Sequence, residues 1–202
     1  MPEFSSLSPN GARKLMKEMF PQPEEPEPVG DVMNLEIGEE GIPVRVYVPE
    51  DQGPFPTVVY FHGGGWVIGD LDTHDETCRI LSSESDCMVV SVDYRLSPEH
   101  AFPTPLEDCY RALEWVVDDS LTMQVDTENI FVAGDSAGGN LAAAVALLAR
   151  DRDGPPITPQ TLIYPVTNHG FDTASYEENG DGGMLSKADM EWFWDQYLPS
   201  DV

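Results

Sequence analysis

The sequence predicts an α/β fold with a mostly parallel central sheet flanked by helices. Two observations carry this. The runs Thr57–Phe61 (TVVYF) and Cys87–Val92 (CMVVSV) are short and continuously apolar, as strands buried on both faces of a parallel sheet should be. Segments of helical periodicity alternate with such runs, and a β-α-β-α order implies right-handed crossovers that place helices on the sheet faces. Ligands of such sheets bind outside the carboxyl ends of the strands.

Each element can be justified in order. Ser8-Pro9 reads as an N-cap followed by proline at the first helical position. Behind it Ala12, Leu15, Met16, Met19 and Phe20 share one helical face. Pro21 to Pro28 alternates proline with glutamate and reads as a stiff linker. Met33, Leu35 and Ile37 alternate, as do Val44, Val46 and Val48, and Gly38-Glu39-Glu40-Gly41 between them predicts a hairpin. After the Thr57–Phe61 strand, Thr73 to Ser83 is expected to be helical, and Leu106, Cys109, Tyr110, Leu113 and Val117 mark an amphipathic helix. Ile130–Ala133 is expected as a short strand, Ala137–Arg150 as an alanine-rich helix and Thr161–Val166 as a further strand. The last helix starts at Ser186, where Asp189 completes a capping box, and its apolar face is Met190, Phe193, Trp194 and Tyr197.

Composition narrows the function classes. The 202 residues suffice for one sizeable core, and 41% hydrophobic content is ordinary for a globular chain. No apolar run approaches the ~18 residues of a membrane-spanning helix. Met1 to Phe20 shows no apolar leader, which predicts a cytoplasmic location. Cys78, Cys87 and Cys109 are scattered, show no metal spacing and read as buried thiols. The charge is the unusual feature: 37 acidic against 10 basic residues give −27, where small domains carry about 2–8 in magnitude. A phosphate backbone would be repelled, so nucleic-acid binding is excluded. The acids run through the whole chain, and the reading is a protein adapted to high salt, which screens such self-repulsion.

Two motifs carry chemistry. Gly134-Asp135-Ser136-Ala137-Gly138 lies between a strand and a helix, the setting of the G-x-S-x-G nucleophile elbow. A turn this tight holds the serine in strained geometry. Side chains two positions either side would collide with the neighbouring strand and helix, hence glycine. His62-Gly63-Gly64-Gly65-Trp66 follows the Thr57–Phe61 strand directly. Acyl transfer develops negative charge on a carbonyl oxygen, and preorganised backbone N–H groups must meet it. Three glycines let the chain turn such groups inward without a Cβ in the way. Ala137, next to the nucleophile, would supply another.

HGGGW, Asp93-Tyr94-Arg95-Leu96-Ser97-Pro98-Glu99-His100 and GDSAGGN ending at Asn140 together resemble the hormone-sensitive-lipase family of carboxylesterases, over about Val32 to Val166. The resemblance implies an α/β-hydrolase fold with Ser136 as nucleophile and Gly64, Gly65 and Ala137 as oxyanion donors. It implies a short to medium acyl ester as substrate, with no cofactor and no metal. It divides the chain into an N-terminal cap helix and linker (1–30), a hydrolase core (31–170) and a cap segment (171–202), and it makes His62 a structural residue that positions the glycine loop.

The family's acid and histidine follow the serine, each after a later strand. Val202 is reached before those strands. The catalytic Asp and His are therefore expected beyond residue 202, and the last strands of the sheet are expected to be missing. Residues 1–202 alone are expected to fold poorly, or to be completed by a homo-oligomer or a C-terminal segment. Among the 4 histidines, His62 and His100 belong to the matched motifs as scaffold and His74 opens a helix. His169-Gly170-Phe171 is similar to the surroundings of the family's catalytic histidine, but it follows the Thr161–Val166 strand where the family enters its cap, and it reads as a loop histidine near the pocket rim. Two rival functions share the scaffold: a non-catalytic ligand-binding module, as in the gibberellin receptors, and an amidase or peptidase.

Overall fold

The computed structural model describes residues 3–181 and 183–199. The chain is built around the parallel pair β3 (Phe55–Phe61) and β4 (Met88–Val92). All of β4 is buried. Successive side chains point to opposite faces, so Val59, Phe61, Val90 and Val92 enter one apolar cluster while Val58, Tyr60 and Val89 enter another. Helices α3 (Thr104–Asp118) and α5 (Ala137–Asp151) cover the first face through Leu113, Val116, Leu141 and Val145, and α2 (Asp75–Ser85) covers the second through Cys78.

The six strands run in the order β1-β2-β4-β3-β5-β6. β1 (Asp31–Ile37) and β2 (Ile42–Val48) form the predicted antiparallel hairpin, and β2 pairs antiparallel with β4. Gly38 and Gly41 adopt φ of 68° and 66°, a left-handed geometry that glycine supplies without strain. The remaining pairings are parallel. Three parallel carboxyl ends, those of β3, β5 and β6, come together at one rim, and both motifs sit there.

Several boundaries differ from the sequence reading, among them the start of β3 at Phe55 and not Thr57. β5 spans Val125–Asp135 and not four residues. Its first half, with Asp126, Thr127 and Glu128, is polar and joins β3 across a register shift between Phe55 and Thr57, so no apolar run announces it. β6 is Gln160–Ile163 and stops short of Val166, because Tyr164 turns to φ 36°. Helix α2 starts at Asp75, two residues later than expected. Two short helices, α4 (Ser120–Met123) and α6 (Ala174–Asn179), were not expected. Cys78 and Cys109 are buried as predicted, whereas Cys87 is half-buried.

The terminal helices meet over the rim. α1 (Pro9–Met19) is capped by Ser8, whose Oγ accepts from the Gly11 N–H at 3.2 Å. α7 (Lys187–Tyr197) has the predicted capping box of Ser186 and Asp189. The Asp189 carboxylate also accepts the Ser5 N–H at 2.8 Å, tying the start of the chain to α7. Phe4, Ala12, Val67, Ile68 and Phe193 form a small cluster between them.

Candidate active site

Ser136 stands between β5 and α5 with φ 52° and ψ −115°. A non-glycine residue there stores strain and marks a constrained turn. The backbone is clamped on both sides: Ser136 N–H donates to Ile163 O at 2.9 Å, and Ser136 O accepts from Val166 N–H at 3.2 Å and from Asn140 N–H at 3.1 Å. Asn140 Nδ2 closes the ring by donating to Val166 O at 2.9 Å. The flanking glycines are steric necessities. A Cβ on Gly134 would run into the Gly138 backbone and, at 2.5 Å, into Phe61 O, and one on Gly138 would run into Phe61 O and, at 2.7 Å, His62 O.

The glycine loop is pinned one peptide at a time. Gly63 N–H donates to Asp135 Oδ1 at 2.9 Å. Gly63 O lies 2.8 Å from His62 Nδ1. Burial, reinforced by the neighbouring His74, pushes the His62 imidazole down to about 4, so it is neutral at pH 7. A carbonyl can only accept, which assigns the remaining proton to Nδ1. Gly64 O in turn accepts from Val67 N–H at 3.1 Å and Ile68 N–H at 2.9 Å. A peptide is planar, so holding its C=O fixes the direction of its N–H. The two peptides held in this way carry the N–H groups of Gly64 and Gly65. Those two groups and the N–H of Ala137 meet no acceptor among the described residues.

Gly64, Gly65 and Ser136 line one cavity of about 520 Å³, and Ala137 is fully buried behind Ser136. This size suits a small organic ligand. Met16 and Met19 of α1, Phe20 just after it, and Met190 and Phe193 of α7 supply an apolar wall. A Cβ on Gly65, where φ is 57°, would enter the Phe193 ring, so loop and helix touch at this point. Trp66 leaves the loop fully buried and stacks on Tyr197 at 4.2 Å and 7°.

The four histidines separate clearly. His62 is buried in the loop and stacked on Tyr94 at 4.3 Å, and His100 is exposed in the turn before α3. His169 is exposed and packs against Trp194 at 4.7 Å. His74, read from sequence only as the start of a helix, lines the cavity with its Nε2 3.4 Å from Asp135 Oδ1. Among the described residues none of them hydrogen-bonds Ser136. The sequence reading gave no role to Asp135, Tyr60 or His74. Asp135 was visible as the residue before the serine, but nothing local announced its partners.

The profile of the α/β-hydrolase fold family matches residues 58–202. The chain is 45% identical to carboxylesterase NlhH of Mycobacterium tuberculosis over 167 residues, which are 81% of this chain and 52% of that protein. It is 39% identical to an arylesterase of Saccharolobus solfataricus over 165 residues, 81% of this chain and 54% of that protein. The chain thus spans about half the length of the curated relatives it matches. Among solved structures, the ester-hydrolase EH1AB1 from the Lake Arreo metagenome superposes with a TM-score of 0.93 at 39% identity, covering 100% of this chain and 66% of that one. An esterase of Pyrobaculum calidifontis gives 0.88 at 42% identity, covering 98% and 66%. The chain belongs to the α/β-hydrolase family, and within it to the hormone-sensitive-lipase type.

Proposed function

We propose that the protein hydrolyses carboxylic esters of short to medium acyl chain, with Ser136 as nucleophile. The observation that carries this reading is the strained, doubly clamped Ser136 sharing a cavity with Gly64 and Gly65, whose N–H groups are oriented but meet no acceptor among the described residues. Ser136 Oγ attacks the ester carbonyl carbon and passes its proton to a base. The carbonyl electrons move onto oxygen, where Gly64, Gly65 and Ala137 N–H groups receive them. On collapse the C–O bond to the alcohol breaks, and the alcohol leaves with the proton from the base. Water, deprotonated by the same base, then attacks the acyl-enzyme and regenerates the serine.

None of the four histidines hydrogen-bonds Ser136 among the described residues, so base and acid are assigned to the part of the family fold outside the 52% of the mycobacterial relative that this chain matches. Residues 1–30 and 171–202 are proposed as a cap over the cavity, supported by the Ser5–Asp189 bond and the Phe4–Phe193 contact at 5.6 Å. The three free thiols fit a reducing cytoplasm, and the charge of −27 fits a high-salt interior. The ester reading is tested by labelling the whole protein with a fluorophosphonate and by assaying p-nitrophenyl acetate. Wild type should be labelled and active, and Ser136→Ala should lose both. Equal labelling of the two would overturn the assignment.

A further inference from the structure

We infer that Asp135 is a positioning residue: its carboxylate holds the glycine loop against the Ser136 elbow, and Tyr60 and His74 hold the carboxylate. This rests on the reading of that elbow and loop as the reacting centre. Asp135 lies inside the elbow, one residue before Ser136, yet its side chain reaches back to β3 and beyond. Oδ1 accepts the Gly63 N–H at 2.9 Å and the Tyr60 hydroxyl at 2.7 Å, and His74 Nε2 lies 3.4 Å away. Three segments therefore converge on one oxygen: strand β3, the loop that follows it, and the residue that opens α2.

Two further observations support the assignment. Among the described residues, the Asp135–Gly63 bond is the one side-chain hydrogen bond joining 62–66 to 134–138. The bonds that hold Gly63 O and Gly64 O come from His62, Val67 and Ile68, all within or next to the loop, so they shape it without setting its distance from the serine. Moreover, a Cβ on Gly63 would occupy the space of Asp135 Oδ2, so the first glycine of the run makes room for this carboxylate. Its side chain is only 14% exposed. Burial pushes the carboxyl up, but His74 and then Tyr60 outweigh it and keep the group below the usual carboxylate range, an anion at neutral pH.

A donor misplaced by ~1 Å, or lost, costs on the order of 10²-fold in turnover. In the whole protein, Asp135→Ala should therefore lower kcat by ~10²-fold while KM for a small ester stays within about twofold, since the apolar wall is untouched. Asp135→Asn keeps an acceptor for Gly63 but loses the charge facing His74, and should fall between wild type and alanine. Tyr60→Phe should lower kcat alone but add nothing in the Asp135→Ala background, because both act through one carboxylate. Amide hydrogen exchange reads the brace without chemistry: residues 62–69 should exchange faster in Asp135→Ala, with α3 and α5 unchanged. If Asp135→Ala does not fold, Asp135→Asn carries the same measurements. An unchanged kcat, a loss that lies wholly in KM, or unchanged exchange at 62–69 would each overturn the brace. Absence of fluorophosphonate labelling in wild type would instead sink the ester reading, and the exchange result would still decide whether Asp135 holds the loop.

Discussion

The floor and the roof of the cavity are attached to the molecule in different ways. Under Ser136, the elbow and the glycine loop are held by backbone hydrogen bonds, by a buried carboxylate and by glycines that abut carbonyl oxygens. Over it, α1 packs Ala12, Leu15, Met16 and Met19 on Val67, Ile68 and Phe193, and side-chain hydrogen bonds and ion pairs at the surface tie it down further. Arg13 Nε donates to Val67 O at 2.9 Å, and its other nitrogens bond Ser97 O at 2.9 Å and Glu99 at 2.6 Å. Lys17 pairs with Asp70 at 2.6 Å. Glu99 and Lys17 are 51% and 61% exposed, and exposed pairs of this kind contribute about 0–1 kcal/mol each. The Arg13 guanidinium holds the Glu99 carboxyl down to about 2, a shift that solvent screening keeps from counting at face value as stability. The comparison teaches that the Ser136 turn and the glycine loop stand on the backbone-braced side of the cavity, while the covering side is held through side chains.

The largest expected effect separates the two glycines that abut them. Gly138→Ala drives a methyl into Phe61 O, which is backbone in the centre of the sheet and cannot move aside. Overpacking at such a point should destabilise by about 3 kcal/mol, visible as a drop in the denaturation midpoint together with loss of turnover. Gly65→Ala instead meets the buried Phe193 ring, a side chain and not backbone. Its stability cost should exceed the ~1–2 kcal/mol of a left-handed alanine because Phe193 must repack, yet stay below that of Gly138→Ala, while kcat falls by ~10²–10³ through the displaced donor. Equal destabilisation by both variants would erase the distinction between floor and roof.

Salt should act on the two sides to different degrees. The Debye length falls from ~10 Å at 0.1 M to ~3 Å at 1 M, so repulsion among the surface acids of a chain at −27 is relieved and the global melting midpoint should climb with KCl. The same screening weakens the Lys17–Asp70 and Arg13–Glu99 pairs. Amide exchange in α1 should therefore gain less protection than the β3–β5 core over that range. A flat melting profile would refute the high-salt reading, and equal protection of α1 and core would refute the ion-pair account of the roof.

The smallest expected effect is a pH dependence at the edge between the two regions. Asp93 follows β4 beside the loop and lies 4.0 Å from His62 Nε2. Burial, and then the charge of Asp70, push its carboxyl up to about 6. Asp70 and Asp72 face it as like charges and Lys17 and Arg45 as opposite ones. A carboxyl whose folded pKa exceeds its unfolded value of 3.8 destabilises the fold above the folded pKa, and protonation relieves this as pH falls. Asp93→Asn should thus raise the melting midpoint at pH 7.5 by a few degrees at most, and the gain should shrink through pH 6 and vanish near pH 4. A gain that persists at pH 4 would place its cause outside the ionisation of the Asp93 carboxyl.

Much of this molecule was legible before any coordinates. The hairpin, the alternation of buried strands with helices, the Ser8 and Ser186 caps and both glycine-bearing motifs follow from chemistry within a few residues. Each such signal is a short-range steric or hydrogen-bonding rule that the chain cannot evade. The polar first half of β5 escaped because Asp126–Glu128 has no apolar pattern and pairs only through its backbone. The short helices α4 and α6 and the early end of β6 at Tyr164 escaped for a related reason: nothing in their side chains outweighs neighbouring loop propensities.

What the tertiary structure alone decided is which distant groups share a site. Tyr60 and Asp135 are 75 positions apart and Gly63 and Asp135 72, and no local rule links them. They meet because β3 and β5 pair in parallel with Phe61 beside Gly134, which brings the ends of both strands to one rim. His74 joins them because α2 packs on the same sheet face as Tyr60. Sequence by itself determined that a tight turn at Ser136 and a glycine-rich loop after β3 exist, since both are written in local backbone sterics. The sheet register determined their mutual placement, since a hydrogen bond between remote residues depends on long-range packing that local propensity does not encode.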